Sequence, residues 1–173
     1  MKLLCAAAIS LGLTDCASTG VEQYRAETPV LDLKTYLNGT LDAWGMFQGR
    51  SGEVKKRFHV VIDARWEGDT GVLDESFTWS DGTTSKRVWT LRLQPDGSFR
   101  GRADDVVGEA VGEVAGNALR WRYVLALPVD DKVYNVDFDD WMFLMDDKVM
   151  LNRSYMSKWG FRLGEVTLTF VKR

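Results

Sequence analysis

Residues that commonly build catalytic and metal sites are scarce in this sequence of 173 residues, which has two cysteines and one histidine. Both cysteines, Cys5 and Cys16, lie close to the N-terminus, so a disulfide framework is excluded for the rest of the chain. No cysteine or histidine cluster has the spacing of a zinc site, and Ser51 does not belong to a GxSxG nucleophile elbow. The sequence therefore assigns no catalytic residue, no metal and no cofactor.

The sequence also lacks a concentrated positive charge. It has 22 Lys and Arg against 25 Asp and Glu, and its formal net charge is −3. Phosphate backbones require a clustered basic surface, so this charge distribution argues against a nucleic-acid partner. Aromatic residues are abundant by contrast, with seven Trp and eight Phe. Because aromatic side chains bury large areas, one domain of this length can form a substantial interior without disulfides.

The N-terminus has the plan of a secretory signal peptide. Lys2 precedes an apolar run from Leu3 to Leu13, and polar or small residues follow. This run is too short for a membrane-spanning helix, which takes about twenty residues to cross about 30 Å of hydrocarbon. The segment from Leu13 to Cys16 resembles the bacterial lipobox, except that Asp15 occupies a position where Gly, Ala or Ser is usual.

These features predict the organisation of the chain. We expect residues 1–16 to be a signal peptide, Cys16 to carry a lipid, residues 17–30 to form a tether and residues 31–173 to form the folded domain. Resemblance to bacterial lipoproteins implies three acyl chains on the mature N-terminus. Several acyl chains anchor a protein stably, whereas a single one binds only marginally.

Localisation follows from the same segment. By resemblance to bacterial lipoproteins, Ala17 after the lipidated cysteine implies the outer membrane, with the protein facing the periplasm. The alternative is a soluble periplasmic or secreted protein that is cleaved a few residues later, for example after Ser18 or Gly20. The oligomeric state is not determined by the sequence.

Alternation of apolar and polar residues dominates the chain from Trp44 onward. Residues 58–66 are the clearest example, because every second side chain is apolar and most of the others are polar or charged, as in a half-buried strand. The same alternation recurs up to the C-terminus. His59 falls on the polar face of its strand, and we expect it to point outward, which argues against a catalytic or metal role.

Turn signals such as Ser80-Asp81-Gly82 and Pro95-Asp96-Gly97 separate about eight to ten predicted strands. Short turns favour pairing between sequence neighbours, and closure of the sheet removes exposed edges. We therefore predict an all-β fold, a closed antiparallel up-and-down β-barrel, rather than a sandwich. Asp32 is expected to cap a short helix over residues 33–37, which either covers one barrel mouth or packs on the surface.

Four charged residues fall on the face of their predicted strand that also carries the apolar side chains: Glu75, Arg87, Asp139 and Arg153. Unpaired charges are costly to bury, so we expect these side chains to meet one another, water or a ligand. Glu75 and Arg87 would be near-diagonal neighbours across one hairpin. An aromatic wall completes the predicted ligand site: Trp66, Phe77, Trp79, Trp89, Trp121, Tyr123 and Trp141.

Several phrases, taken together, resemble a family of bacterial lipoproteins catalogued as domain of unknown function 3833. The phrases are Trp44-Gly45 with Phe47, Leu73-Asp74-Glu75-Ser76-Phe77, Asp81-Gly82, Arg87-Val88-Trp89, Ala103-Asp104-Asp105-Val106-Val107-Gly108, Gly116-Asn117-Ala118, Asp139-Asp140-Trp141-Met142 and Asn152-Arg153-Ser154. The resemblance covers about residues 25–173. It implies a lipocalin-like small barrel and brings no activity with it.

Our functional hypothesis is a lipid-anchored protein of the cell envelope that binds a hydrophobic or amphiphilic small molecule inside the barrel. A barrel of about eight strands is wide enough to hold one small ligand. Two alternatives remain open. The aromatic side chains fill the interior and leave a scaffold whose outer surface meets an envelope partner, or an interior carboxylate such as Glu75 or Asp139 serves an enzyme of the isomerase or cyclase type.

Overall fold

Ten antiparallel strands follow one another in the computed structural model, which describes residues 20–173. The predicted signal peptide and the lipidation site at Cys16 lie outside the described residues. The strands are β1 (Gly39–Gly49), β2 (Val54–Glu67), β3 (Thr70–Trp79), β4 (Thr84–Leu93), β5 (Phe99–Arg102), β6 (Ala110–Ala115), β7 (Ala118–Val129), β8 (Lys132–Leu144), β9 (Val149–Lys158) and β10 (Phe161–Lys172).

Each strand pairs with its neighbours in sequence, and the sheet closes where β1 pairs with β10. The closing ladder runs from Leu41 opposite Lys172 to Gly49 opposite Gly164. Closure pairs the two edges that an open sheet would expose to other chains. The predicted all-β, closed antiparallel barrel is therefore confirmed.

In strand β2, the alternating side chains point in turn to the interior and to the exterior of the barrel. Val60, Ile62 and Ala64 are buried in the barrel. His59 points outward, as predicted, and its Nε2 lies 2.9 Å from Oδ1 of Asp42. This strand is positioned by burial of its apolar face.

A single helical turn, α1 (Leu33–Tyr36), lies across one mouth of the barrel. Asp32 caps it as predicted, since Oδ1 accepts a hydrogen bond from the backbone N–H of Thr35 at 3.1 Å. The indole N–H of Trp66 donates to the carbonyl of Leu37 at 2.7 Å. Because Leu37 and the first residue of α1 line the interior, this end of the barrel is closed. Within residues 20–173, no helix has the length and apolar character needed to cross a membrane.

A 3₁₀ turn, Val21–Tyr24, packs on the outside of the barrel. Val21 is buried, and the Tyr24 ring lies edge-on to the rings of Trp141 (5.9 Å between centroids) and Phe143 (5.1 Å). Part of the outer face of β8 is therefore apolar and covered.

The wall is completed by a loop where β5 and β6 are short. Residues 103–109 pair with β7 through two backbone hydrogen bonds, from Val107 N–H to Val124 O at 2.9 Å and from Ala126 N–H to Asp105 O at 2.8 Å. This pairing fixes Asp105 beside the barrel interior.

Small residues on β5 and β6 make room for an aromatic ring. A Cβ on either Gly101 or Gly112 would come within 2.4 Å of the indole of Trp121. Small residues are frequent between residues 106 and 115, and they leave space inside the wall. At Gly112 that space is taken by the Trp121 indole.

Candidate ligand-binding cavity

A cavity of about 660 Å³ occupies the barrel above α1. Its volume lies in the range of sites that hold one small ligand. The lining is mainly aromatic and aliphatic. The aromatic lining residues are Phe47, Phe58, Phe77, Trp79, Trp89, Trp121, Tyr123, Phe138 and Phe170.

The mouth opposite α1 gives access to this cavity. Lys56 and Lys86, near the starts of β2 and β4, line the cavity at this end. The turns beside the same mouth carry exposed apolar side chains, including Val133 (65% exposed), Trp159 (84%) and Phe161 (68%). An apolar molecule reaching the protein at this end therefore meets an apolar rim before the aromatic interior.

Glu75 is a polar group of the cavity on β3. It lines the interior and lies directly opposite Arg87 in the β3–β4 ladder. No group within residues 20–173 forms a hydrogen bond or an ion pair with its carboxylate. The pKa of Glu75 is raised to about 7. Burial is the largest cause, the carboxylates of Asp105 and Asp140 act in the same direction, and Arg87 opposes the shift.

The cation nearest to Glu75 is engaged elsewhere. Nε and Nη2 of Arg87 donate to Oδ2 of Asp105 at 3.0 and 2.6 Å. The other oxygen of Asp105, Oδ1, is buried and has no hydrogen-bond partner among the described residues. Burial lowers the pKa of Arg87, but the nearby carboxylates of Glu75 and Asp105 outweigh it, so the guanidinium stays charged.

A second polar group lies on the opposite wall. Asp140 on β8 is buried, and the Ser154 hydroxyl of β9 donates a hydrogen bond to its Oδ1. Burial raises the pKa of Asp140 to about 7, although hydrogen bonding from Ser154 and Tyr123 opposes the shift. Burial also raises the pKa of Tyr123 well above its ordinary value, so its hydroxyl stays protonated. Asn152 is buried beside them and also lines the cavity.

Seven of the eleven predicted ligand-binding residues line this cavity. They are Glu75, Phe77, Trp79, Arg87, Trp89, Trp121 and Tyr123. Trp66 also points into the barrel, but it packs beneath α1 against Gly71 and does not line the cavity. Their role in binding stays a prediction. No group of three or more His, Cys, Asp or Glu side chains in the described part of the chain is placed to hold a metal ion.

The inward orientation expected for Asp139, Trp141 and Arg153 is wrong. Asp139 lies outside and pairs with Arg120 at 2.8 Å, and Arg153 pairs on the outer surface with Glu165 at 3.0 Å. Alternation misled here because β8 and β9 carry apolar side chains on both faces. On β8, the outer apolar residues pack under the N-terminal 3₁₀ turn.

Sequence reasoning consequently missed Asp140, Asn152 and Ser154, and it did not place Asp105 in the site. The sequence of β8 did indicate that Asp140 points inward, because apolar residues occupy every second position on either side of it. These are Val136, Phe138, Met142 and Leu144. No comparable signal marks Asp105, since it belongs to a loop and its position depends on backbone pairing with β7.

The closed barrel, its single covering turn and its aromatic cavity define a lipocalin-like small barrel. The chain belongs to the family described as "Protein of unknown function (DUF3833)", whose model matches residues 10–172. The resemblance to domain of unknown function 3833 is therefore confirmed, and the bacterial origin and the lipid anchor stay predictions. No curated protein matches the chain.

A solved structure supports the fold assignment. The chain is similar to an S-type phycobiliprotein lyase, CPES, from Guillardia theta, with a TM-score of 0.58 and 11% sequence identity. The similarity covers 79% of this chain and 88% of that one. At this identity the similarity shows a shared fold and nothing about the ligand.

Proposed function

We propose that this protein binds one hydrophobic or amphiphilic small molecule inside its barrel. The observation that carries the proposal is the cavity of about 660 Å³, which has an aromatic wall and a polar group at Glu75. Apolar cavities with a few placed polar groups are the usual form of small-molecule sites. The fold shared with a phycobiliprotein lyase is compatible with a barrel that receives a small molecule.

The energetics favour an elongated apolar ligand. Each methylene group moved from water into an apolar site contributes about 0.8 kcal/mol. An alkyl chain of about ten carbons therefore gains enough to offset much of the cost of immobilisation. A filled-barrel scaffold, which the sequence left open, would leave no room for such a chain. The cavity favours the binding function over that alternative.

We further propose that the mature protein is held at a membrane by a lipid on Cys16. The motivation is the lipobox-like segment from Leu13 to Cys16. Its location would be the outer membrane, facing the periplasm, and a soluble periplasmic or secreted protein is the alternative. A membrane-held barrel with an apolar rim would be well placed to exchange amphiphiles with the bilayer.

A second candidate function is acid–base catalysis on the bound molecule. Glu75 and Asp140 are carboxyl groups of the barrel interior whose pKa values are raised to about 7, the range in which a carboxyl group serves as acid or base near neutral pH. An isomerase or cyclase would need only one or two such groups. Loss of turnover with retained binding in Glu75→Gln would identify this candidate once a substrate is known.

Native mass spectrometry of the protein purified from its own cells tests the binding function. We expect an adduct of a few hundred daltons, consistent with a cavity of this size. Leu168→Trp, which places a large ring in the cavity wall, should reduce the adduct, whereas Leu163→Trp on the exposed part of the same strand should retain it. Bare protein in repeated preparations of the unmodified chain would contradict the proposal.

A further inference from the structure

The polar part of the cavity contains an acceptor, the Glu75 carboxylate, that has no hydrogen-bond donor among the described residues. Three carboxyl groups, those of Glu75, Asp105 and Asp140, line it together with a single guanidinium, that of Arg87. Glu75 is half-buried and lines the cavity, and no donor of the described chain forms a hydrogen bond with its carboxylate. Its cross-strand partner Arg87 is directed to Asp105 instead.

The donors on the opposite wall do not form a hydrogen bond with Glu75. The Ser154 hydroxyl donates a hydrogen bond to Asp140, and the Tyr123 hydroxyl also lowers the pKa of Asp140. Asp105 keeps Oδ1 buried without a partner in the part of the chain that the structure describes. A buried acceptor without a donor costs free energy, which a ligand recovers when it supplies the missing donor. Glu75 therefore presents its carboxylate to a ligand as an acceptor, whereas Oδ1 of Asp105 is enclosed by the protein.

We infer that the cavity prefers amphiphiles whose polar end donates hydrogen bonds, with a protonated amine preferred most, over amphiphiles that end in a carboxylate. The inference rests on the proposed binding function. An ammonium group beside Glu75 would form a charge-assisted hydrogen bond, the stronger kind, and the alkyl chain would lie against the aromatic wall.

A carboxylate end would meet the opposite situation. It would lie near Glu75 and Asp140, and Arg87, the one cation that the described residues place inside the barrel, already pairs with Asp105. Lys56 and Lys86 offer positive charge only at the mouth, and Lys56 pairs there with Asp81 at 2.8 Å. A carboxylate ligand would therefore have to bind in reverse, with its head at the mouth.

Three probes with the same alkyl chain test the inference: dodecylamine, 1-dodecanol and dodecanoate. Each is titrated at pH 8 below its aggregation concentration, and binding is followed by tryptophan fluorescence and calorimetry. Hydrogen bonds to charged groups are among the strongest in proteins, so we expect dodecylamine to bind about tenfold or more tightly than dodecanoate, with dodecanol between them.

Variants assign the preference to Glu75. Glu75→Gln keeps the shape and removes the charge, and it should weaken dodecylamine binding about tenfold and dodecanol binding by a smaller factor, because only the amine loses an opposite charge. Dodecanol binding also shows that the cavity of the variant is intact. Glu67→Gln, at the exposed end of β2, removes the same charge from the surface and should change neither affinity. Leu168→Trp should weaken all three probes.

The outcomes separate the inference from the function on which it rests. Equal affinities, tighter binding of dodecanoate, or an amine preference that survives Glu75→Gln would overturn the inference and leave the binding function in place. Amine binding that is lost equally in Glu67→Gln, or kept in Leu168→Trp, would mean attraction to the acidic surface and would also overturn it. Failure of all three probes to bind would contradict the binding function itself.

Discussion

Nη2 of Arg87 lies 2.6 Å from Oδ2 of Asp105, although the residue opposite Arg87 in the β3–β4 ladder is Glu75. The loop that carries Asp105 is fixed by backbone hydrogen bonds to β7. The Arg87 guanidinium therefore pairs with Asp105 of the loop and not with Glu75 of the neighbouring strand. This arrangement leaves Glu75 free to meet a ligand.

Removing the charge of Asp105 should reverse the polarity of the cavity. In Asp105→Asn the amide holds Arg87 less strongly, and the guanidinium becomes available to Glu75 or to a ligand carboxylate. We expect dodecylamine to bind several-fold more weakly and dodecanoate several-fold more tightly, as measured in the same titrations. Asp104→Asn, the exposed neighbour, is the matched control, and identical behaviour of the two variants would argue against this role for Asp105.

The interior carboxyl groups should make the protein less stable as the pH rises. The pKa values of Glu75 and Asp140 are raised to about 7 in the folded chain, from 4.5 and 3.8. Between about pH 4 and pH 7 the folded chain holds protons that the unfolded chain has lost, so the free energy of unfolding falls with rising pH. For Glu75 alone this amounts to at most about 3 kcal/mol.

Urea unfolding at pH 5 and pH 8 measures this effect. The midpoint should be lower at pH 8 for the unmodified protein, and the difference should shrink in Glu75→Gln. Glu67→Gln should keep the full difference, because its carboxylate is exposed. A midpoint that is constant or rises between pH 5 and pH 8 would show that these carboxyl groups are not buried as described.

Contact between the N-terminal turn and the barrel should make Gly116 intolerant of a side chain. Its φ is +55°, and a Cβ would come within 1.7 Å of the carbonyl oxygen of Tyr24. Gly82 also has a positive φ, +82°, but a Cβ there meets open space. Both alanine variants pay the backbone cost of about 1–2 kcal/mol, and Gly116→Ala should lose at least about 1 kcal/mol more in urea unfolding. Equal losses would mean that the turn does not pack there in solution.

Replacing Cys16 by Ser should release the mature protein from membranes, because a lipid can no longer be attached. Fractionation of cells that express the two forms measures this. The unmodified protein is expected in the membrane fraction and Cys16→Ser in the soluble envelope fraction. Unchanged membrane association of the variant would rule out the proposed anchor.

Alternation predicted the barrel well where one face of a strand is polar. In β2, β3, β4 and β7, charged or polar residues separate the apolar ones, so the inward face of each strand could be read directly. The inward positions of Glu75 and Arg87 follow from this alternation alone. Closure could also be anticipated, because short turns leave few other ways to pair ten consecutive strands.

Alternation failed where a second apolar layer covers the sheet. Trp141 and Phe143 are apolar because Tyr24 packs on them from outside, and a single sequence does not reveal that contact. The assignment of Asp139 rather than Asp140 to the interior follows from this one error. A shift of one residue moves every side chain of a strand to the other face. The error therefore assigned the wrong face to both Asp139 and Trp141 of β8.

A crystal structure of the protein with dodecylamine tests the central claim most directly, because it shows where an amphiphile binds. We expect the alkyl chain within the barrel, against Trp89 and Trp121, with its nitrogen within hydrogen-bond distance of the Glu75 carboxylate. An interior without ligand, or a ligand bound only on the outer surface, would contradict the proposal that this barrel is a binding site.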